Sequence, residues 1–190
     1  MTLDHLVAQI IGWANDRNLV QGSTVERQYV KLVEEHGEFA AGAARGKLEV
    51  MADALGDKMV IVAIMGAQAN VRILHSLCKL TDTDGFSYEA CKDTISNVMK
   101  DDSIGAEATF RENSYNIGIL ALELASPHLA DILAAVFGDC IAAAVELGLD
   151  PNRVLEDVWN IIKDRKGRMV DGVFIKEGDT MMSGGSNAQA

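Results

Sequence analysis

The chain has 190 residues, of which 48% are hydrophobic and 5% aromatic, and its formal net charge is −11. This length fits one domain with a sizeable core, and two prolines with few aromatics argue against a sandwich or barrel of many short strands. The acidic balance disfavours nucleic acid and anionic membranes as non-specific partners, although a metal ion can still bring a phosphorylated substrate to an acidic protein.

The cysteine pattern and the N-terminal residues indicate the cellular compartment that we expect for the protein. Three cysteines at wide spacing form no CxxC or zinc-ligand pattern, so the sequence predicts free thiols in a reducing cytosol. The N-terminal segment lacks the basic start of a signal peptide. The longest apolar run, residues 59–71, is too short to span a bilayer and predicts a buried helix, so no membrane association is expected.

Apolar residues at helical spacing predict three helices in the first part of the chain. The first covers residues 3–18, and a connector then leads to a capping-box pattern, Ser23 with Glu26, that opens the second. The second helix is expected to stop near Gly46. The third covers roughly 47–72 and is amphipathic at its start and apolar all round towards its end, as a buried helix would be.

The later part of the chain predicts further helices. A turn at residues 81–86 precedes two helices within 87–125, which are broken near 101–105. A serine or aspartate followed by proline marks the start of two more helices, expected over 126–148 and from 150 to about 168.

A short hairpin is expected to close the fold. The pair Asp171-Gly172 between short apolar segments is typical of a two-residue β-hairpin turn, and residues 178–190 have the composition of a disordered tail. No linker separates independent domains. We therefore expect one domain over residues 1–177, an all-α helical bundle with a short C-terminal β-hairpin.

The two halves of the chain, residues 1–72 and 83–168, resemble one another weakly. Superposing Asp57 on Asp139 also matches the glycines that precede them, whereas Glu35, Glu38 and Asp53 fall on the apolar residues Ile117, Leu120 and Ala135. A degenerate internal duplication would explain this pattern. Chance similarity between two alanine-rich helices is the alternative.

Two acidic clusters lie on the second and third predicted helices. Glu34, Glu35 and Glu38 belong to EEHGE, and Asp53 and Asp57 belong to DALGD. Spacings of three and four residues put each cluster on one helix face, and a short connection makes the two helices antiparallel neighbours. Facing carboxylates repel unless a hard cation such as Mg²⁺ lies between them. A solvated acidic face is the alternative, which spacing alone does not exclude.

Four segments, in this order, resemble the MazG-like nucleotide pyrophosphohydrolases, especially the short phage type: WANDRNLVQGS, KLVEEHGEFAAG, DALGDKMVIV and WNIIKDRKGRMVDGVFIKE. These enzymes belong to the all-α NTP pyrophosphatase superfamily, together with the dimeric dUTPases. The resemblance covers about residues 4–72 and 129–177, and it implies hydrolysis of nucleoside triphosphates to monophosphates and pyrophosphate.

The resemblance also implies a metal site. Its Mg²⁺ ions, or Mn²⁺ in their place, are held by an ExxE pair and an ExxD pair, which here would give Glu35, Glu38 and Asp57. Many relatives carry glutamate three residues before the last of these, where this chain has Ala54. We expect Asp53, one residue earlier, to substitute as the fourth metal ligand, since a spacing of four also shares a face.

Glu34 or Glu35 is the candidate base that aligns the attacking water. Further side chains are candidates for contact with the nucleotide: Trp13, Lys31, Asn160, Lys163 and Arg168. Core packing is the alternative for the tryptophan, and an ion pair with a neighbouring glutamate is the alternative for Lys31. For the C-terminal cations the alternative is favourable placement at a helix end.

The sequence thus predicts a Mg²⁺-dependent nucleoside triphosphate pyrophosphohydrolase in the cytoplasm of a bacterium or phage-infected cell. A homodimer is expected because relatives associate through helix faces, although a fused repeat could supply that interface within one chain. The alternative is a non-catalytic helical protein on the same scaffold that binds nucleotides or acts in assembly. The alanine at position 54 favours this alternative.

Overall fold

The computed structural model describes residues 1–80 and 106–178, which form eight helices and a two-stranded antiparallel sheet. In chain order the elements are α1 Leu3–Asp16, α2 Leu19–Gly22, α3 Val25–Ala43, α4 Leu48–Gln68, α5 Ile73–Leu80, α6 Ala106–Glu123, α7 Leu129–Glu146, α8 Pro151–Ile162, β1 Gly167–Val170 and β2 Val173–Lys176. The prediction of a mostly helical fold with a short C-terminal hairpin is confirmed. The predicted turn at 81–86, the break near 101–105 and the tail from 179 lie outside the described residues.

Several helix ends differ from the prediction because local capping competes with periodicity. Thr24, and not Ser23, caps α3, since its side chain accepts a hydrogen bond from the backbone N–H of Arg27 at 3.3 Å. Glu26 is therefore one position too early to complete the predicted capping box. The predicted connector contains the short helix α2, which begins after Asn18 in a left-handed conformation.

The last helix ends at Ile162, whereas the sequence predicted an end near Arg168. Residues 167–170 instead pair with β2, so strand pairing replaces the final turns of the predicted helix. Its start is confirmed: Pro151 follows Asp150, whose side chain accepts a hydrogen bond from the Asn152 N–H at 3.0 Å.

The helix α4 lies at the centre of the packing. It contacts α1, α2, α3, α7 and α8, and it is buried over most of its length, as its apolar sequence predicts. A β-carbon built on Gly56 would come within 2.4 Å of Val158 on α8, so only glycine permits this close approach. The third predicted helix is therefore the core element of the fold.

A second helix pair, α6 with α7, packs beside α3 and α4. Lys58 of α4 is fully buried at this junction and donates from Nζ to Oδ1 of Asn113 at 2.7 Å. Its ammonium also lies 4.5 Å from the ring centroid of Phe39. Ile117 and Leu120, which the proposed repeat aligns with two of the acids, are buried core residues. Whether the pairs arose by duplication stays a prediction.

The hairpin places its inner face against the helices. Asp171 and Gly172 both have positive φ, as a two-residue primed turn requires, so this part of the prediction is confirmed. Met169 pairs with Phe174, and both pack against the core. The ring of Phe174 lies 6.2 Å from that of Trp13 on α1. The hairpin therefore packs against α1.

Among the described residues no single helix has the length and hydropathy of a membrane span. In the part of the chain that the structure describes, only α7 and α8 taken together meet that criterion, and the angle between them is 108°.

The buried lysine gives a test of the packing between the two helix pairs. Asn113→Leu removes the acceptor that Lys58 uses and should lower the free energy of unfolding by about 3 kcal/mol, since a buried ammonium is then left without that partner. Lys58→Met in the same chain should recover most of that loss. Urea unfolding of the single and double variants measures both effects.

Asn160→Leu makes the same substitution at an exposed asparagine and is the matched control; it should change the free energy of unfolding much less than Asn113→Leu. If the losses in free energy of unfolding of Asn113→Leu and Lys58→Met simply add in the double variant, the two side chains do not stabilise the fold as a pair.

Candidate functional site

A cavity of about 640 Å³ opens between α1, α3, α4 and the hairpin. Its wall combines three kinds of side chain: the carboxylates Glu35 and Asp57, the cations Arg27, Lys31, Arg165 and Lys176, and an apolar part that includes Trp13, Leu19, Ile61, Ile64 and Phe174. Acids, bases and an apolar surface in one cavity are typical of a site for a charged ligand with an apolar portion.

Glu35 enters this cavity from α3. Burial, reinforced by the negative charges of Asp57, Glu38 and Glu34, raises the pKa of its carboxyl to about 7, although the positive charge of Lys31 lowers it in part. The side chain is therefore close to half protonated near neutral pH in the absence of a bound cation.

Asp57 enters from α4 on the opposite side. Burial, together with the negative charges of Asp53 and Glu38, raises its pKa to about 6, although the cations Arg165 and Lys176 lower it in part. Glu35 and Asp57 thus repel one another across the α3–α4 interface. A cation bound between them would relieve this repulsion.

The other predicted acids lie around the cavity and not in its lining. Glu34 and Glu38 are exposed, and Glu34 forms a surface ion pair with Lys31, which fits the alternative reading of that lysine. Asp53 is exposed and lines a separate groove of about 260 Å³ against α8. Ala54 is 1% exposed within the core. The structure therefore brings together one acid from each predicted cluster.

The carboxylates of the cavity provide part of a Mg²⁺ coordination shell. Within residues 1–80 and 106–178, no three His, Cys, Asp or Glu side chains lie close enough to chelate one metal ion. Mg²⁺ commonly takes one or two carboxylates and completes its shell with water and substrate phosphates. Glu35 and Asp57 fit an arrangement of two carboxylates completed by water and phosphate oxygens, and the same oxygen ligands suit Mn²⁺.

Three cations in the cavity wall, Arg27, Arg165 and Lys176, were missed from the sequence. Arg165 and Lys176 both act on Asp57, the first from the turn after α8 and the second from β2. Arg168, the predicted phosphate contact, is exposed and pairs with Ile175 on the strand face opposite Phe174. The signal for Arg165 was present in the basic KDRKGR segment, but only the end of α8 and the strand register show which cation faces the cavity.

The other two predicted C-terminal contacts also lie outside the cavity lining. Asn160 and Lys163 are both exposed, and the lysine Nζ donates to the asparagine Oδ1 at 2.8 Å. Lys163 is the C-cap of α8, which fits the alternative of a cation placed at a helix end.

Trp13 lines the cavity and is at the same time a core residue, being 8% exposed. Its indole Nε1 is buried, with no hydrogen-bond partner among the described residues. The guanidinium of Arg17 lies 4.8 Å from its ring centroid. The two readings of Trp13, core packing and cavity wall, are therefore compatible.

The raised pKa values predict how stability depends on pH when no divalent cation is present. Glu35 and Asp57 bind protons more tightly in the folded chain than at their ordinary values of 4.5 and 3.8. Their stabilising contribution is complete below the ordinary values and is lost as pH rises through about 6 and 7. We expect urea unfolding in EDTA to show this decline, and Glu35→Gln to flatten it.

Glu49→Gln, at an exposed acid of α4 outside the cavity, is the control and should keep the wild-type slope. An unchanged slope in Glu35→Gln would show that the pKa of Glu35 is not raised in the folded chain.

A comparison with known proteins gives one informative match. The chain is 36% identical over 128 residues to an uncharacterized 18.2 kDa protein from the rep–hol intergenic region of Haemophilus phage HP1 (strain HP1c1). The alignment covers 67% of this chain and 76% of the phage protein. No known family profile and no solved structure matches the chain. By this identity and coverage, the chain belongs to the same protein family as the Haemophilus phage HP1 protein.

Proposed function

We propose that the chain is a Mg²⁺-dependent nucleoside triphosphate pyrophosphohydrolase. The observation that carries this proposal is the cavity in which Glu35 and Asp57, both with raised pKa values, lie beside several cationic side chains and an apolar wall. A triphosphate needs positive charge around its oxygens, and a nucleoside needs an apolar surface. The resemblance to the MazG-like enzymes supports the same chemistry.

In this proposal each side of the cavity has its own task. Glu35 and Asp57 would hold Mg²⁺, which neutralises phosphate charge and makes a bound water more acidic. Arg165 and Lys176 would bind the phosphate oxygens, where cations stabilise the charge that develops on the leaving pyrophosphate. Trp13 and its apolar neighbours would cover the nucleoside and exclude water.

Glu35 is a better candidate base than Glu34. Glu34 is exposed and ion-paired with Lys31, whereas Glu35 is half-buried in the cavity with a pKa of about 7. A carboxylate that lines the cavity can accept a proton from a water bound there. In the reaction the water oxygen bonds to the α-phosphorus, its proton goes to Glu35, and the bond to the β-phosphate oxygen breaks to release pyrophosphate.

The cellular setting and assembly are part of the same proposal. Relationship to a phage protein supports a bacterial or phage-infected cytoplasm as the place of action. We retain the homodimer as a prediction, to be tested by light scattering in solution.

A second candidate function is nucleotide binding without hydrolysis. It is favoured by Ala54, which is buried where many MazG-like relatives carry a carboxylate, and by Asp53, which lines a separate groove. A site with two cavity acids in place of four could bind a metal–nucleotide complex without activating water.

The test is pyrophosphate release from a panel of NTPs and dNTPs with Mg²⁺ or Mn²⁺. We expect turnover by the wild type and a decrease of at least about 100-fold in both Glu35→Gln and Asp57→Asn, since each removes a charge used in the transition state. Calorimetry should show weak binding of Mg²⁺ alone and tighter binding with nucleotide, because the phosphates complete the ion's coordination shell.

Asp131→Asn removes an exposed charge from the first turn of α7 and should leave turnover unchanged. Nucleotide binding without pyrophosphate release would favour the second candidate. Absence of both would contradict the two proposals together.

The placement of the C-terminal cations gives a separate prediction. Arg165→Ala should raise KM about tenfold or more, because it removes a charge-assisted contact to phosphate from the cavity wall. Arg168→Ala, on the outward strand face, should raise KM much less. Steady-state kinetics on the preferred nucleotide compares the two variants, and a larger effect at Arg168 would overturn this assignment.

A further inference from the structure

The turn between α8 and β1 is held by a side chain from the other end of the sequence. Arg17, just after α1, donates from Nε to the carbonyl of Arg165 at 2.9 Å and from Nη2 to the carbonyl of Lys163 at 3.2 Å. The first of these contacts joins residues 148 positions apart. Lys163 is the C-cap of α8 and Arg165 lies just beyond it, so Arg17 supplies donors to carbonyls at the end of the helix, where a cation also suits the negative end of the helix dipole.

The same guanidinium stacks on the aromatic wall of the cavity. It lies 4.8 Å from the centroid of Trp13, whose ring in turn lies 6.2 Å from that of Phe174 on β2. Arg17 therefore contacts both the turn that carries Arg165 and the ring against which the hairpin packs. A planar guanidinium can stack and donate two hydrogen bonds at once, which a lysine ammonium cannot reproduce.

Arg17 has no place in the cavity lining. It lines a different groove, between α1 and α8, together with Lys163 and Asp164. Any effect of Arg17 on a ligand beside Asp57 must therefore pass through the groups that it holds, which are the backbone of residues 163–165 and the ring of Trp13.

We propose that Arg17 is a positioning residue: it clamps the α8–β1 turn to α1, and thereby keeps Arg165 beside Asp57 and the hairpin over the cavity. The substrate-related part of this inference rests on the proposed function. The clamping of the turn does not, so the two parts are tested separately.

The first experiment uses no ligand. Amide hydrogen exchange is followed by mass spectrometry in wild type, Arg17→Lys and the control Arg153→Lys, which alters an arginine whose ion pair with Asp157 is exposed. Peptides covering residues 163–177 should exchange about tenfold faster or more in Arg17→Lys, since hydrogen bonds to a charged group are lost there. Peptides from α3 and α4 should be unchanged, which shows that the variant is folded.

The second experiment is a double-mutant cycle on the binding of inorganic pyrophosphate in the presence of Mg²⁺. Arg17→Lys and Arg165→Lys should each weaken binding, and the double variant should bind no more weakly than Arg165→Lys alone. In the hydrolysis assay Arg17→Lys should raise KM more than it lowers kcat, because it displaces a binding group and leaves Glu35 in place.

The outcomes separate the inference from the proposed function. Wild-type exchange of residues 163–177 in Arg17→Lys overturns the clamp, whatever the activity. Faster exchange with additive losses in the cycle overturns the link to Arg165. If the wild type neither binds pyrophosphate nor releases it from nucleotides, the proposed function fails, and the exchange experiment alone then decides whether Arg17 clamps the turn.

Discussion

The buried helix α4 carries two consecutive charged residues in its middle. The need of each charge for a polar or charged partner constrains how the rest of the structure packs around this helix. Asp57 and Lys58 follow one another in a helix that is buried over most of its length. A buried charge is stable only with partners, and consecutive helical residues point about 100° apart, so the two side chains need partners on different sides. Asn113 of α6 serves the lysine, while Arg165 and Lys176 act on the aspartate. The α6–α7 pair thus supplies the partner of Lys58, and the segment from Arg165 to β2 supplies the cations beside Asp57.

The same constraint gives the cavity its mixed character. Glu35 and Asp57 are half-buried like charges, so each opposes ionisation of the other. The cations on the hairpin side offset this only in part, since both carboxyl pKa values stay above their ordinary range. A ligand that carries both positive and negative charge, such as a metal–phosphate complex, complements such a wall better than a metal or an anion alone.

The acidic site was largely predictable, whereas its cationic side was not. Helical spacing within EEHGE and DALGD predicts that the two acidic clusters approach each other, and the structure places Glu35 and Asp57 in one cavity. Spacing could not show that Asp53 turns towards α8, because that depends on which side of α4 each neighbouring helix covers. Likewise, Arg165 and Arg168 are equivalent in a basic segment until the end of α8 and the strand register assign them to different surfaces.

The sequence by itself determined the local structure. Apolar periodicity specified the long helices, although not the short α2 and α5. The Asp171-Gly172 pair specified the hairpin turn, because positive φ at two successive positions suits few other residues. Only the tertiary structure decided where α8 ends and where the hairpin lies. Those features depend on the guanidinium of Arg17 and the ring of Trp13, which belong to the opposite end of the chain. Contacts between residues so far apart in sequence form only when the core brings α1 and α8 together, so they cannot be predicted from any local sequence pattern.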